Sequence, residues 1–299
     1  MAIPEQQLDT WSHLGSITNS STTYNAIKNV LGATTVPYAG RAYEIFLQGS
    51  YGNDTNIWTE SDIDIVIKLS SASCFHSDLS ALTDEEKALW RKAYVDSTYG
   101  YREFKRDVLK VLGDQYGTDV SEGDKAIAIA ARGNRRKADV IVATEFRRYF
   151  RFGNAADEQY ADGICLWNAA GEQIVNYPKQ HSANLAARHQ ATGQWLKPMI
   201  RVLKNLRGRL VTDGAIVTGS APSYFLEGLL YNVPTNQFVS NYGTCLVNAL
   251  NWLRAREDRS AFICANEQYY LLRDDAHECW PPANADAFLG AAASLWQHW

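Results

Sequence analysis

The chain has no surplus of positive charge: 29 lysines and arginines stand against 33 aspartates and glutamates in 299 residues, a formal net charge of −4. An obligate coat of polynucleotide needs a basic excess to displace counterions, so obligate DNA binding is excluded and only a local basic patch stays open. No apolar run approaches the roughly 20 residues of a membrane-spanning helix. The amino-terminal MAIPEQQLDTWSHLG lacks a charged region followed by an apolar core. A soluble, cytoplasmic protein with no membrane partner is expected. Cysteine is scarce and scattered: Cys74, Cys165, Cys245, Cys264 and Cys279 are odd in number and never form Cys-x-x-Cys, which fits reduced thiols and not a disulfide framework. His277 lies near Cys264 and Cys279, but the spacing matches no ordinary finger or ribbon, and no structural zinc is expected. Low-complexity blocks, like-charge runs and internal repeats are also missing. With 46% hydrophobic and 21% charged residues, the chain reads as globular, one large domain or two lobes.

What is present is periodic. Leu8, Trp11, Leu14 and Ile17, then Tyr24, Ile27, Val30 and Leu31, have helical spacing, with the hydroxyls of residues 20–23 available as caps midway; one broken helix or two short ones are expected. Residues 41–47 and 62–69 read as strands joined by a Gly/Asn/Asp/Thr-rich connection. Thr83-Asp84-Glu85-Glu86 has the form of a capping box and opens a helix or helix pair running to Gly113. Residues 125–130, 137–143, 145–151 and 163–167 are short and rich in β-branched or aromatic side chains, as further strands of one sheet would be. After NYPKQH the period becomes helical, over 184–210, 221–232, 242–256 and 284–298. The fold class is α/β of the α+β kind, with a mixed-sheet core lobe over residues 1–176 packed against a helical lobe over 177–299.

The stretch LQGSYGNDTNIWTESDIDIVIKL sets Asp62 and Asp64 one residue apart in an otherwise apolar strand. Alternation sends both carboxylates to one face while Ile63, Ile65 and Ile67 go to the core. Two like charges about 6–7 Å apart repel unless a cation lies between them. Magnesium, which prefers hard carboxylate oxygens and completes its shell with water and phosphate, is the natural choice. An isolated Asp-x-Asp is more often the polar outer face of a half-exposed strand. Here, however, Gly49-Ser50 follows the first strand, where glycine allows close approach and free N–H groups can receive a phosphate. A third acid, Asp139, lies in the later apolar strand KADVIVA and needs a partner or a metal.

In the helical half, Lys197, Arg201 and Lys204 share one helical face. This stripe is either solvated surface or, facing a bound phosphate, its neutraliser. Pro198 either kinks the helix or marks its true start.

Gly-Ser, a linker, Asp-x-Asp and a distant strand Asp together resemble the polymerase-β-type nucleotidyltransferase superfamily. The segments APSYFLEGLLYNVP, NYPKQHSANLAARHQATGQWLKPMIRVLKNLR and LDTWSHLGSITNSSTTYNAIKNVL resemble the bacterial cGAS/DncV-like nucleotidyltransferases, the CD-NTases, across nearly the whole chain. The resemblance implies a polymerase-β-like nucleotidyltransferase core and two Mg²⁺ ions, replaceable by Mn²⁺, on Asp62, Asp64 and Asp139. It further implies nucleotide contacts by Gln48, Gly49, Ser50, Lys197, Lys204, Ser223 and Tyr224, with Ser223 on the donor phosphates and Tyr224 stacked on the donor base. Taken alone, Ser223 could equally be a helix cap and Tyr224 a core residue. Asn184 and Arg147 are expected near a base edge only by rough position. The implied activity is a cyclic dinucleotide or trinucleotide synthase acting on nucleoside triphosphates as a monomer, in antiphage signalling through a separate effector protein. The alternatives are a linear nucleotidyltransferase acting on RNA ends or a small acceptor, and a catalytically silent nucleotide sensor. The zinc ribbon of the animal relatives is missing, so DNA sensing of their type is not expected.

Overall fold

The computed structural model describes residues 2–15, 18–58, 62–70, 75–94, 98–274, 276 and 278–299; Cys74 and His277 lie outside them. The amino-terminal helical pattern forms two helices, α1 (Glu5–Ser12) and α2 (Thr18–Leu31). The first strand, β1 (Tyr43–Gln48), runs into a single helical turn, α3 (Gly49–Gly52). Next come β2 (Ile63–Leu69), β3 (Phe75–Asp78), α4 (Asp84–Ala93) and α5 (Tyr101–Tyr116). The capping box is formed at α4: Glu86 N–H donates to Thr83 Oγ1 at 3.3 Å, and Thr83 N–H to Glu86 Oε2 at 2.8 Å. Strands β4 (Val120–Glu122), β5 (Ile127–Ile129), β6 (Ala138–Asn154), β7 (Asp157–Trp167) and β8 (Gln173–Asn176) complete the sheet. Helices α6 (Pro178–Ala191), α7 (Leu196–Thr212), α8 (Ser223–Asn232), α9 (Tyr242–Arg254) and α10 (Pro282–His298) follow.

Two sequence expectations are revised, and one alternative is decided. Residues 137–143 and 145–151 are one long strand, β6, whose two halves have different neighbours. The stretch 184–210 is broken into α6 and α7 at Gly193 and Gln194, both with positive φ (60° and 70°), a left-handed backbone that no helix continues through. Pro198 is the third residue of α7, where an N–H has no intrahelical acceptor, so it starts the helix without kinking it.

Two compact units result, Ile17–Gln48 with Ser61–Pro178, and Met1–Ser16 with Gly49–Glu60 and Lys179–Trp299. They differ from a simple cut near residue 177. The short helix α1 and the segment after β1 belong with the helical half, because α1 is too short to persist alone and buries Leu8 in the cluster of Leu196, Leu203, Leu229, Leu246 and Phe288. No helix among the described residues is long and apolar enough to cross a membrane.

In the sheet unit the path is β1-β2-β6-β5-β4. The first half of β6 lies between β2, parallel, and β5, antiparallel; its second half pairs with β3, parallel, and β7, antiparallel. Ile63, Ile65 and Ile67 are fully buried, as alternation requires, but Val66 and Lys68 on the opposite face are buried too. The face that carries the acids is thus open only at the amino-terminal end of β2.

Candidate active site

Register brings the acids together. Asp64 pairs with Asp139 across the parallel β2–β6 ladder, so two carboxylates stand on one sheet face about 4.8 Å apart at the backbone. Asp62 precedes them by one pleat on the same face. Gln48 pairs with Asp64 from the other side, and Ala128 with Asp139, so the row reads amide, acid, acid, methyl. Gln48 Oε1 is buried without a hydrogen-bond partner among the described residues. Such an atom is costly unless something else binds there.

A cation is already drawn into this row. Lys137, two residues before Asp139 and on its face, places Nζ 2.6 Å from Asp62 Oδ2 and 3.9 Å from Asp139 Oδ2. The hydrogen bond to Asp62 holds the ammonium above its ordinary pKa, and the charges of Asp139, Asp62 and Asp64 add to the effect. Burial pushes the Asp139 carboxyl up; Lys137 opposes this and the charge of Asp62 reinforces it. Side-chain exposures of 44% for Asp62 and 28% for Asp139 leave both within reach of a ligand. Among the described residues no three acidic, histidine or cysteine side chains are gathered round a common point; the lysine ammonium stands between the carboxylates instead. The donor set, three hard carboxylates and an orphaned amide oxygen, nevertheless suits Mg²⁺.

The helical unit holds the remaining candidates. Gly49 has φ 65°, a conformation that glycine adopts at no steric cost. The turn closes through Asn53 N–H to Gly49 O at 3.0 Å and Thr55 N–H to Ser50 O at 2.9 Å. Helix α7 clamps the segment that follows: Lys197 Nζ meets Asp54 Oδ2 at 2.9 Å, Arg201 donates to Asp54 O at 2.7 Å, and Lys204 Nζ donates to Thr55 Oγ1 at 3.1 Å. Lys204 also pairs with Glu227 Oε1 at 3.1 Å, and its side chain is 0% exposed. The basic stripe is therefore not solvated surface: Lys197 and Arg201 hold Asp54, and Lys204 is buried against Thr55 and Glu227.

Ser223 is the first residue of α8, and the cap position belongs to Pro222, so Ser223 is not a helix cap. Its Oγ accepts from Arg207 at 3.0 Å. Tyr224 stacks on His181, with centroids 4.9 Å apart and planes at 22°, and its hydroxyl accepts from Asn266 Nδ2 at 2.9 Å. Burial pushes its phenol well above the ordinary range. Asn184 donates to Ala265 O at 2.8 Å. Arg147 pairs with Glu145 and Glu158 and lies over the rings of Phe75 and Tyr160, the place of an internal tie in the sheet unit.

Residues 183–297 match the family model of the cGAS/DncV-like nucleotidyltransferase C-terminal helical domain. The chain is 36% identical over 305 residues to the cyclic nucleotide synthase CdnE01 of Staphylococcus haemolyticus, with both chains covered in full. It is 37% identical over 301 residues to the cyclic UMP-AMP synthase of Rhodothermus marinus, covering 100% of this chain and 99% of that protein. The chain belongs to the cGAS/DncV-like nucleotidyltransferases. Among solved structures, that of the Rhodothermus marinus CdnE c-UMP-AMP synthase with Apcpp and Upnpp superposes with a TM-score of 0.88 at 36% identity, covering 99% of this chain and 97% of that one.

As a CD-NTase the protein is a nucleotidyltransferase with the polymerase-β-like fold. Two features of it escape sequence reasoning. Lys137 was visible only as the first letter of KADVIVA, and the i, i+2 spacing to Asp139 was the available signal. Glu227, buried in APSYFLEGLL, gave no signal except a lone acid in an apolar helix.

Proposed function

We propose that this CD-NTase joins nucleoside triphosphates into a cyclic dinucleotide or trinucleotide, releasing pyrophosphate, and that the product acts on a separate effector protein in antiphage signalling. The pairing of Asp64 with Asp139 across β2 and β6, with Asp62 one pleat away, is the observation that carries it. Asp62, Asp64 and Asp139 are the residues that would hold the metal. Bound there, two Mg²⁺ ions, or Mn²⁺ in their place, would supply Lewis-acid charge neutralisation for the triphosphate and acidify the acceptor hydroxyl.

The chain's own residues do the rest by positioning and charge. The backbone of Gly49 and Ser50 receives donor phosphates, Ser223 is held for a phosphate by Arg207, and Tyr224 offers a ring to the donor base. Asp139, whose carboxyl burial makes more basic, takes the proton of the attacking ribose hydroxyl. That oxygen bonds the donor α-phosphorus as the bond to the β-phosphate bridging oxygen breaks and pyrophosphate departs. A second transfer of the same kind closes the ring.

The test is to incubate the protein with each labelled nucleoside triphosphate plus Mg²⁺ or Mn²⁺ and to identify products by mass. A phosphatase-resistant product made from nucleotides alone is expected. Changing Asp62 and Asp64 together to Asn should abolish pyrophosphate release, a loss of at least about a thousandfold, with the circular dichroism spectrum unchanged. A phosphatase-sensitive chain would point to a linear transferase, and full turnover by the double variant would exclude the metal site.

A further inference from the structure

Glu227 is the most completely enclosed carboxylate among the described residues of the helical unit. It lies on α8 with 3% of its surface exposed, between Leu226 and the Leu229–Leu230 pair. Four groups converge on it. Asn53 Nδ2 donates to Oε2 at 3.0 Å and Thr55 Oγ1 donates to Oε1. His181 Nε2 meets Oε2 at 2.7 Å, and Lys204 Nζ lies 3.1 Å from Oε1. Two of these partners, Asn53 and Thr55, belong to the segment whose backbone closes the Gly49–Ser50 turn. A third, His181, is the ring on which Tyr224 stacks. His181 Nδ1 is buried with no hydrogen-bond partner among the described residues, so the bond from Nε2 is the ring's single polar anchor. Ser182, next to it on α6, donates to Gly52 O at 3.3 Å and ties the same helix to the same turn.

A buried charge with this many partners is costly to assemble and costly to break, so it fixes one geometry where a looser contact would allow several. We propose that Glu227 is a positioning residue for the nucleotide: it locks the Gly49–Ser50 turn and the Tyr224 ring into one rigid piece, so that the triphosphate and base contacts are made together. This rests on the assignment of Gly49, Ser50 and Tyr224 to the donor nucleotide made above. Glu227 touches no reacting atom; it acts through Thr55, Asn53 and His181. Lys204 enters as its counter-charge.

The test uses the full chain and a non-hydrolysable ATP or UTP analogue, compared with the bare nucleoside. The double substitution Glu227→Gln with Lys204→Met removes both buried charges at once and avoids an unpaired one. Thr55→Val removes the bonds of Thr55 Oγ1 to Glu227 and from Lys204 without changing volume, and His181→Phe keeps the stack but not its anchor. Each is expected to weaken the triphosphate analogue about tenfold by calorimetry while nucleoside affinity changes less than about twofold. Amide exchange over residues 49–56 should also accelerate at least tenfold in the first two. If the double variant does not fold, Thr55→Val and His181→Phe decide the matter. Unchanged analogue affinity with unchanged exchange in these variants overturns the proposal. Gly49→Ala and Tyr224→Ala serve as controls. If they bind the analogue as the wild type does, the nucleotide assignment fails; if they lose affinity while the network variants do not, only the role of Glu227 fails.

Discussion

Single residues at this site are governed by what neutralises them. Lys137 lies against Asp62 and Asp139, where an ammonium and a divalent cation would compete for the same oxygens. Lys137→Met should therefore tighten Mn²⁺ binding several-fold in the absence of nucleotide, read by electron paramagnetic resonance titration, and lower the melting temperature of the metal-free protein by a few degrees, reversed by Mg²⁺. Equal Mn²⁺ affinity in both proteins would mean that the lysine does not stand in the metal's place. Glu227 gives a pH signature of its own. Burial alone would push its carboxyl up, but the Lys204 charge, the His181 hydrogen bond and charge, and Thr55 hold it at about 2, against an ordinary 4.5. A folded-state value below the unfolded one means that its stabilisation is complete above pH 4.5 and is lost as pH falls toward 2. Glu227→Gln, which removes the carboxylate that neutralises the buried Lys204 ammonium, should cost about 3–5 kcal/mol near neutrality. The gap in melting temperature from wild type should narrow between pH 5 and 2; a gap independent of pH would remove the carboxylate from the account.

At the scale of elements, the turn after β1 is where backbone conformation and function meet. Gly49 sits at φ 65°, which costs an L side chain about 1–2 kcal/mol. Gly49→Ala should raise the Michaelis constant for nucleoside triphosphate about tenfold and lower the melting temperature by only a few degrees; an unaltered Michaelis constant would detach the turn from phosphate binding. Much of this level was legible beforehand. The period-2 pattern around Asp62 and Asp64 located β2, and Thr83 with Glu86 located the start of α4, because those signals are local. Strands β3, β4 and β8 were missed: at three or four residues each they have no period to read and exist because a neighbouring strand, β6, β5 and β7 respectively, supplies their hydrogen bonds. The two halves of β6 meet at Thr144 and Glu145, where the parallel neighbour changes from β2 to β3, and a change of partner along one continuous strand is not written in the local pattern. That Asp139 joins Asp62 and Asp64 followed from the resemblance alone, and its register opposite Asp64 was not legible, since register is decided by strand order and not by spacing. The burial of Lys204 was likewise illegible, because its partners Thr55 and Glu227 come from other elements.

Across the whole molecule, positive charge is spent internally. Lys68 is buried between Glu44 at 2.8 Å and Asp162 at 3.0 Å, Arg147 pairs with Glu145 and Glu158, Arg135 with Asp119, and Lys204 with Glu227. Each pair withdraws a cation that could otherwise meet a phosphate backbone, in a chain that is already net −4. Affinity for a duplex comes mainly from cations that displace condensed counterions, and falls steeply with salt as their number drops. Long double-stranded DNA should therefore bind no tighter than about 100 μM at 0.15 M salt, the weak end of non-specific association, and should leave the rate of pyrophosphate release within about twofold. Fluorescence anisotropy with a labelled duplex, beside a turnover assay with and without it, measures both. A duplex that raised the rate tenfold would mean that exposed lysines and arginines form a patch that outweighs the net charge.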